Sequence, residues 1–328
     1  MKAVLCKAFG GPGDLVVEDV APPALGPADV RIAVHAAGVN FPDVLMITGK
    51  YQMKPEFPFS PGLEVAGEVL EVGEDVSGVS AGQRVMATLR HGGFAEEAVT
   101  LAQSVFAIPD DMAYPVAAGF TITYGTAHHA LIGRAKLQDG EVLLVLGAAG
   151  GVGLAAVEVG ALLGARVIGA VGAEAKVAVV REHGADAVIN YGSKNLRDRV
   201  KDLTGGNGAD AVFDPVGGEA TTESVRALAW RGRLLVIGFA SGHIPEIAAN
   251  RLLLKEAQAV GVYWGAFATR EPAKNRANIE DLLRWYGEGK IKPLVSATFG
   301  LAQAGEALTA LIERKVTGKV VLRVREQP

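Results

Sequence analysis

Val142-Leu143-Leu144-Val145-Leu146-Gly147-Ala148-Ala149-Gly150-Gly151-Val152-Gly153 decides the fold of this 328-residue chain. A short run rich in Val and Leu breaks into glycines, and an Ala/Val/Leu pattern at helical spacing follows to about Ala165. That order of strand, tight turn and helix is a dinucleotide-binding βαβ unit. Gly150 and Gly151 carry no Cβ, so the backbone can approach a pyrophosphate closely. The helix that starts there points its unpaired N–H groups and positive dipole end at the anion. Gly153 lets the helix pack close to the strand. Aligned on Gly150 and Gly153, the usual first glycine of the fingerprint is replaced by Ala148. The next run, Ala165 to Val171, reads as the second parallel strand, so Ala149, Gly150, Gly151 and Val152 are expected at the cofactor.

The tip of that second strand speaks to which nucleotide. Sites selective for NAD place Asp or Glu about 20 residues past the glycines, where it accepts from the ribose hydroxyls. Here Gly172 occupies the strand end, Glu174 stands two residues on and Lys176 follows. Tyr191 ends the next strand pattern, Val188-Ile189-Asn190. A missing carboxylate beside a cation favours a 2′-phosphate, so NADPH is expected over NADH. Without a nucleotide, Lys176 would be an ordinary solvated helix lysine and Tyr191 a strand-end aromatic.

The rest of the chain fits around this unit. A length of 328 residues implies two domains. Apolar content of 49% and charged content of 21% describe an ordinary globular core. A net charge of −4 leaves no footprint for nucleic acid. No apolar run reaches about 18 residues, so no membrane partner is expected, and the N-terminus reads as a strand and not a signal peptide. Cys6 is the only cysteine, which excludes an intramolecular disulfide and suits a cytoplasmic setting. Its alternation with Val4 and Ala8 places it on one face of a first strand, as core packing.

Character changes near residue 120. Before it, short alternating runs (Val30–Ala36, Glu64–Val72, Arg84–Ala87, Glu96–Val99) are separated by Gly/Pro turns, which predicts a β-rich, partly closed barrel. From 125 to about 265, strands at 142–146, 165–171, 187–190, 209–213, 233–237 and 259–263 alternate with helices. That alternation predicts an α/β, doubly wound parallel sheet, a Rossmann domain. Helical stretches at about 273–287 and 301–314 and a strand at Gly318–Val324 follow.

At this point the chain resembles the zinc-free medium-chain dehydrogenases/reductases of the NADPH:quinone oxidoreductase (zeta-crystallin-like) group. The likeness rests on Asn40-Phe41-Pro42-Asp43 with Gly49 and Tyr51, then Pro61-Gly62-Leu63-Glu64-Val65-Ala66-Gly67. It continues through the glycine turn, Asp214-Pro215-Val216-Gly217-Gly218, Ile237-Gly238-Phe239-Ala240-Ser241-Gly242 and the tail Thr317-Gly318-Lys319-Val320-Val321-Leu322. The resemblance implies that the tail returns to the first domain, giving a GroES-like β-domain over 1–124 and 267–328 and a Rossmann domain over 125–266. It also implies a nicotinamide held in the cleft between domains and a homodimer joined by edge strands, here Val260-Gly261-Val262-Tyr263-Trp264. It counts Gly238, Phe239, Ala240, Tyr263 and Trp264 among the residues at the cofactor. Thr126 falls where relatives bond the carboxamide, and Arg314 matches a position near the 2′-phosphate.

Two departures shape the chemistry. Zinc-dependent relatives carry a metal-ligating His in the segment Gly62-Leu63-Glu64, and Leu63 cannot ligate. One cysteine cannot supply the ligands of a catalytic and a structural zinc. His128 and His129 are neighbours on a predicted helix and point about 100° apart, so they cannot share an ion. Ile47 stands where many quinone-reductase relatives have Arg. Hydride transfer without a metal is therefore expected, to an acceptor that is already electrophilic, such as a quinone. Tyr51 is expected nearest the acceptor, hydrogen-bonding its developing oxyanion or else a nicotinamide or ribose group of the cofactor, with Asn40 orienting the nicotinamide side and Asp43 a structural partner. The alternative enzyme is a double-bond reductase of alkenals, enones or enoyl thioesters. The non-enzymatic alternatives are an NADPH-binding sensor and an RNA-binding protein.

Overall fold

The computed structural model describes residues 1–325. The chain forms two compact units, Met1–Ile122 with Pro293 onward, and Thr123–Lys292. Strands run in order β1 (Lys2–Leu5), β2 (Val16–Asp19), β3 (Asp29–Val39), β4 (Glu64–Val72), β5 (Arg84–Thr88), β6 (Glu97–Leu101) and β7 (Val105–Ala107). They continue with β8 (Val142–Leu146), β9 (Arg166–Val171), β10 (Ala187–Asn190), β11 (Ala209–Asp214), β12 (Leu228–Val236), β13 (Gln258–Gly261), β14 (Val295–Gly300) and β15 (Lys319–Arg323). The helices are α1 (Phe41–Ile47), α2 (Tyr114–Ala118), α3 (Thr121–His128), α4 (Gly151–Leu162), α5 (Val177–Glu182) and α6 (Leu196–Leu203). After them come α7 (Gly218–Ala227), α8 (Ala249–Leu253), α9 (Trp264–Arg270), α10 (Pro272–Gly287) and α11 (Ala304–Ile312).

The first unit is organised by β3. One edge of this long strand pairs antiparallel with β4, from Val30 opposite Val72 to Ala37 opposite Val65. Its other edge is shared: Asp29–Ala33 pair with β6, and Ala36–Val39 pair with β15. The sheet order β14-β15-β3-β4-β5-β7 thus draws the C-terminal strand beside the first third of the chain. Register does the rest, since Val320 opposite Val39 puts Lys319 next to the start of α1. Val4 and Cys6 belong to this unit's core, with Cys6 bridged to Phe59, whereas Ala8 lies exposed beyond the strand.

The second unit holds a six-stranded parallel sheet in the order β10-β9-β8-β11-β12-β13. Every expected strand of the Rossmann domain is present, and the order reverses direction between β8 and β11, the switch point of a doubly wound sheet. Buried on both faces, β8 reads as a continuous apolar run. Two local differences stand out. β13 ends at Gly261, so Val262–Trp264 leave the expected edge strand and Trp264 opens α9. The chain leaves this unit at 292/293 and not 266/267, because α9 and α10 pack together and Trp264 Nε1 donates to Asn275 Oδ1 at 3.1 Å.

Candidate active site

The nucleotide turn sits at the C-terminal end of β8. Gly147 adopts φ +58°, a left-handed conformation costly for a side chain, and so takes the tight-turn role that the fingerprint alignment left to Ala148. Gly150 caps α4 in extended conformation, its N–H donating to the Gly147 carbonyl at 2.9 Å. A Cβ on Gly153 would collide with that same carbonyl oxygen and stand 2.8 Å from Ala148 Cα. The close packing of helix on turn therefore demands glycine here. Gly151 and Val152 then open the twelve-residue α4, directly after Ala149 and the Gly150 cap, where the first backbone N–H groups have no intrahelical acceptor.

The neighbouring strand ends flank this turn. Gly172 follows β9, and a Cβ on it would lie 3.7 Å from the Tyr191 hydroxyl, so these two expected residues are brought together. Lys176 closes a short 3-10 turn, Glu174–Lys176, beside them. Glu174 is engaged by the Asn190 side-chain amide at 3.0 Å. At the far side of the switch point, Asp214 Oδ1 accepts from the Val216 and Gly217 N–H groups at 2.8 and 2.9 Å, and Oδ2 accepts from Thr221. Its backbone carbonyl takes Ile237 and Gly238, while Ala240 N donates to Pro215 O at 3.0 Å. Asp214 thereby ties the Gly238-Phe239-Ala240 loop to the sheet end. Tyr263 is 55% exposed, whereas Trp264 is buried in the unit's interior against Gly125 and Asn275. Thr126 is buried on α3.

In the first unit, Asn40 stands at the centre of a buried polar network. Lys319 Nζ donates to Asn40 Oδ1 and to Glu64 Oε1, both at 2.6 Å. Asn40 Nδ2 donates to Glu64 Oε1 at 3.0 Å and to the Gly38 carbonyl at 3.3 Å, which fixes the amide orientation. Glu64 Oε2 takes the Ile122 N–H at 3.0 Å and the Thr121 hydroxyl at 3.3 Å. Asp43 closes a capping box on α1, accepting from Asn40 N at 2.8 Å and from Gly62 N at 3.1 Å. Its carboxyl is pushed up to about 7, mainly by burial, against the pull of those backbone donors and of Lys319.

Glu64 and Lys319 had no assigned role in the sequence, yet the signal was there. Each is the charge at the start of a largely apolar strand, buried where the other charges of that strand are exposed, and the signs are opposite. Ile47 is 1% exposed in the core and is a packing residue. Tyr51 is half-buried and packs against the first unit's core, its N–H bonded to Leu45 O at 3.1 Å. Arg314 has φ +56° just after α11, in the first unit, and so belongs to a different unit from Lys176 and Tyr191.

The donor set does not suit zinc. Leu63 and Cys6 are both core residues, and Glu64 is held by Lys319, Asn40, Thr121 and Ile122. His128 lies against Trp285 and His129 stacks on Phe267, so the adjacent histidines diverge. Among the described residues no group of three or more His, Cys, Asp or Glu is placed to hold a metal ion.

A β-unit built on one long strand, joined to a six-stranded parallel sheet with a glycine turn at its switch point, is the architecture of a two-domain dehydrogenase/reductase. Residues 26–110 match the alcohol dehydrogenase GroES-like domain and residues 151–284 match a domain described as zinc-binding dehydrogenase. The chain is 44% identical to the quinone oxidoreductase-like protein 2 homolog of Nematostella vectensis, over 99% of this chain and 89% of that one. It is 32% identical to human quinone oxidoreductase, over 98% and 97%. The crystal structure of Escherichia coli quinone oxidoreductase complexed with NADPH superposes with a TM-score of 0.92 at 27% identity, covering 99% and 100%. The chain belongs to the quinone oxidoreductase family of zinc-free medium-chain dehydrogenases/reductases, and it is an oxidoreductase.

Proposed function

We propose that this chain binds NADPH and passes its hydride to quinones without a metal ion. The observation that carries the reading is the glycine turn at the end of β8, where Gly147, Gly150 and Gly153 clear a cradle at the N-terminus of α4. In this reading the first-turn N–H groups of α4 hold the pyrophosphate. Lys176 pairs with the 2′-phosphate and Tyr191 lies beside the adenosine. NADPH, when bound, supplies the hydride. Asn40, its amide locked by Lys319 and Glu64, faces the nicotinamide side. Tyr51 donates to the acceptor oxygen as negative charge builds there, and solvent returns the proton. The relatives' names support a quinone as acceptor.

The same reading makes the protein a homodimer joined at β13, the outer strand of its sheet. The neighbouring Leu253, Leu254 and Tyr263 are 77%, 74% and 55% exposed, and an unpaired edge beside such an apolar surface is a template for a second copy. Sedimentation velocity tests the dimer, with a monomer at micromolar concentration overturning it. The enzymatic test is consumption of NADPH and of NADH with a benzoquinone, a naphthoquinone, an alkenal and an enoyl thioester. Fastest turnover of NADPH with a quinone is expected. A preference for the alkenal or thioester would transfer the chain to double-bond reduction, and no turnover of any acceptor would favour a sensor.

A further inference from the structure

One buried carboxylate outside the site just described remains to be explained. Glu158 sits about two turns into α4, on a helix that is otherwise Ala, Val, Leu and Gly. It is only 7% exposed. A charge in such a place is retained only with partners. Its partners are three, all within the second unit. Oε1 accepts from His183 Nδ1 at 2.5 Å. Oε2 accepts from the Tyr124 hydroxyl at 2.7 Å and from the Lys292 backbone N–H at 3.0 Å. Burial and the Glu158 charge raise the Tyr124 phenol well above its ordinary value, so it stays a donor.

The positions of those two donors are what matter. The chain enters the second unit between Ile122 and Thr123 and leaves it between Lys292 and Pro293. Tyr124 is two residues past the entry, and Lys292 is the last residue before the exit. A single oxygen of Glu158 therefore holds both passages of the chain. We infer that Glu158 is a positioning residue that fixes both passages to α4, the helix whose N-terminus receives the dinucleotide. Resting on the nucleotide reading above, the inference adds that dinucleotide at the head of α4 steadies both passages together. A helix is stiff over two turns, and a hydrogen bond to a charged group is among the stronger single contacts. Within the first unit, Glu64 accepts from Thr121 and Ile122, the last residues before the entry.

Hydrogen exchange on the full chain, with and without NADPH, tests this. Glu158→Leu removes every acceptor and should speed amide exchange at 122–126 and at 290–294 by roughly tenfold or more, as loss of a charge-assisted bond implies. Amides of β8 and β11 should stay as in the parent. Glu158→Gln keeps an oxygen for Tyr124 and Lys292 and should change exchange less than about threefold. Tyr124→Phe should loosen 122–126 alone, which keeps the test decisive if Glu158→Leu does not fold. NADPH should protect both segments in the parent and in Glu158→Gln, and neither in Glu158→Leu. Loosening of one segment only in Glu158→Leu would overturn the inference, as would a Gln variant as open as the Leu one. Unliganded exchange is read without cofactor, so a chain that fails to bind NADPH by direct titration would refute the nucleotide reading and leave the anchoring result standing on its own.

Discussion

Replacing Lys319 by Met isolates what the buried network in the first unit contributes. The substitution keeps the length of the side chain but removes the ammonium that bonds Glu64 and Asn40 at 2.6 Å each. Glu64 is fully buried and the Lys319 side chain is 8% exposed, so water cannot replace the lost partner. Breaking a buried pair by deleting one member costs about 3–5 kcal/mol, since the other charge stays behind unpaired. In a unit of this size each kcal/mol moves the midpoint by roughly 2–4 °C, so a fall of about 6–20 °C is expected. Glu64→Gln with Lys319→Met removes both charges, and the single Gln oxygen can still accept from Ile122 and Thr121. The double variant should therefore lose only about 1–2 kcal/mol, less than Lys319→Met alone, and its shortfall from the sum of the two singles is the coupling energy. The assay has to follow the right unit. Trp230, Trp264 and Trp285 are the chain's only tryptophans and all lie in the second unit, so their fluorescence reports that unit. Hydrogen exchange of β3 and β15 amides in a urea series reports the first. A loss under about 1 kcal/mol for Lys319→Met, or a double variant equal to the sum of the singles, would refute the claim that this pair is desolvated and mutually dependent.

Four further outcomes follow from the site and its charges. Asp43 titrates near 7 when folded against an ordinary 3.8, so the native state holds the extra proton between those values. Its contribution is full below pH 3.8 and is lost as pH rises through 7, by up to about 4 kcal/mol, and Asp43→Asn should flatten that slope in exchange of first-unit amides. His128 behaves oppositely: burial lowers its ring to about 4, so stability of the second unit should fall as pH drops from 6.5 toward 4, by up to about 3 kcal/mol, and His128→Gln should blunt the fall in tryptophan-monitored unfolding. Lys176→Ala should weaken NADPH roughly 10- to 150-fold in a binding titration and leave NADH nearly unchanged, equal losses marking Lys176 as structural. Tyr51→Phe should lower kcat about tenfold or more with NADPH affinity unchanged; weaker NADPH binding at constant kcat would make Tyr51 a cofactor clamp.

What the sequence discloses about this protein divides along the range of the interactions involved. Strand and helix follow from local periodicity, and the six Rossmann strands lie where apolar runs alternate with helical spacing. Local pattern fails first at element ends. Tyr263 and Trp264 have strand-forming side chains, yet Trp264 opens a helix because Asn275 offers its indole N–H a partner eleven residues on. The turn glycine is Gly147 and not the aligned position, since φ is set by the strand's exit angle and not by the spacing of a motif. Buried charges fail differently. Glu64 and Lys319 are separated by 255 residues, and Glu158 and Lys292 by 134, so no window of sequence contains both partners. Glu158 was still visible as an exception, a single charge in an apolar helix that only distant partners can justify. In this chain the two buried carboxylates, Glu158 and Glu64, accept from the residues where the backbone passes between units and from Asn40. A lone buried charge in an otherwise apolar strand or helix is thus worth reading as the near half of a pair whose far half organises the fold.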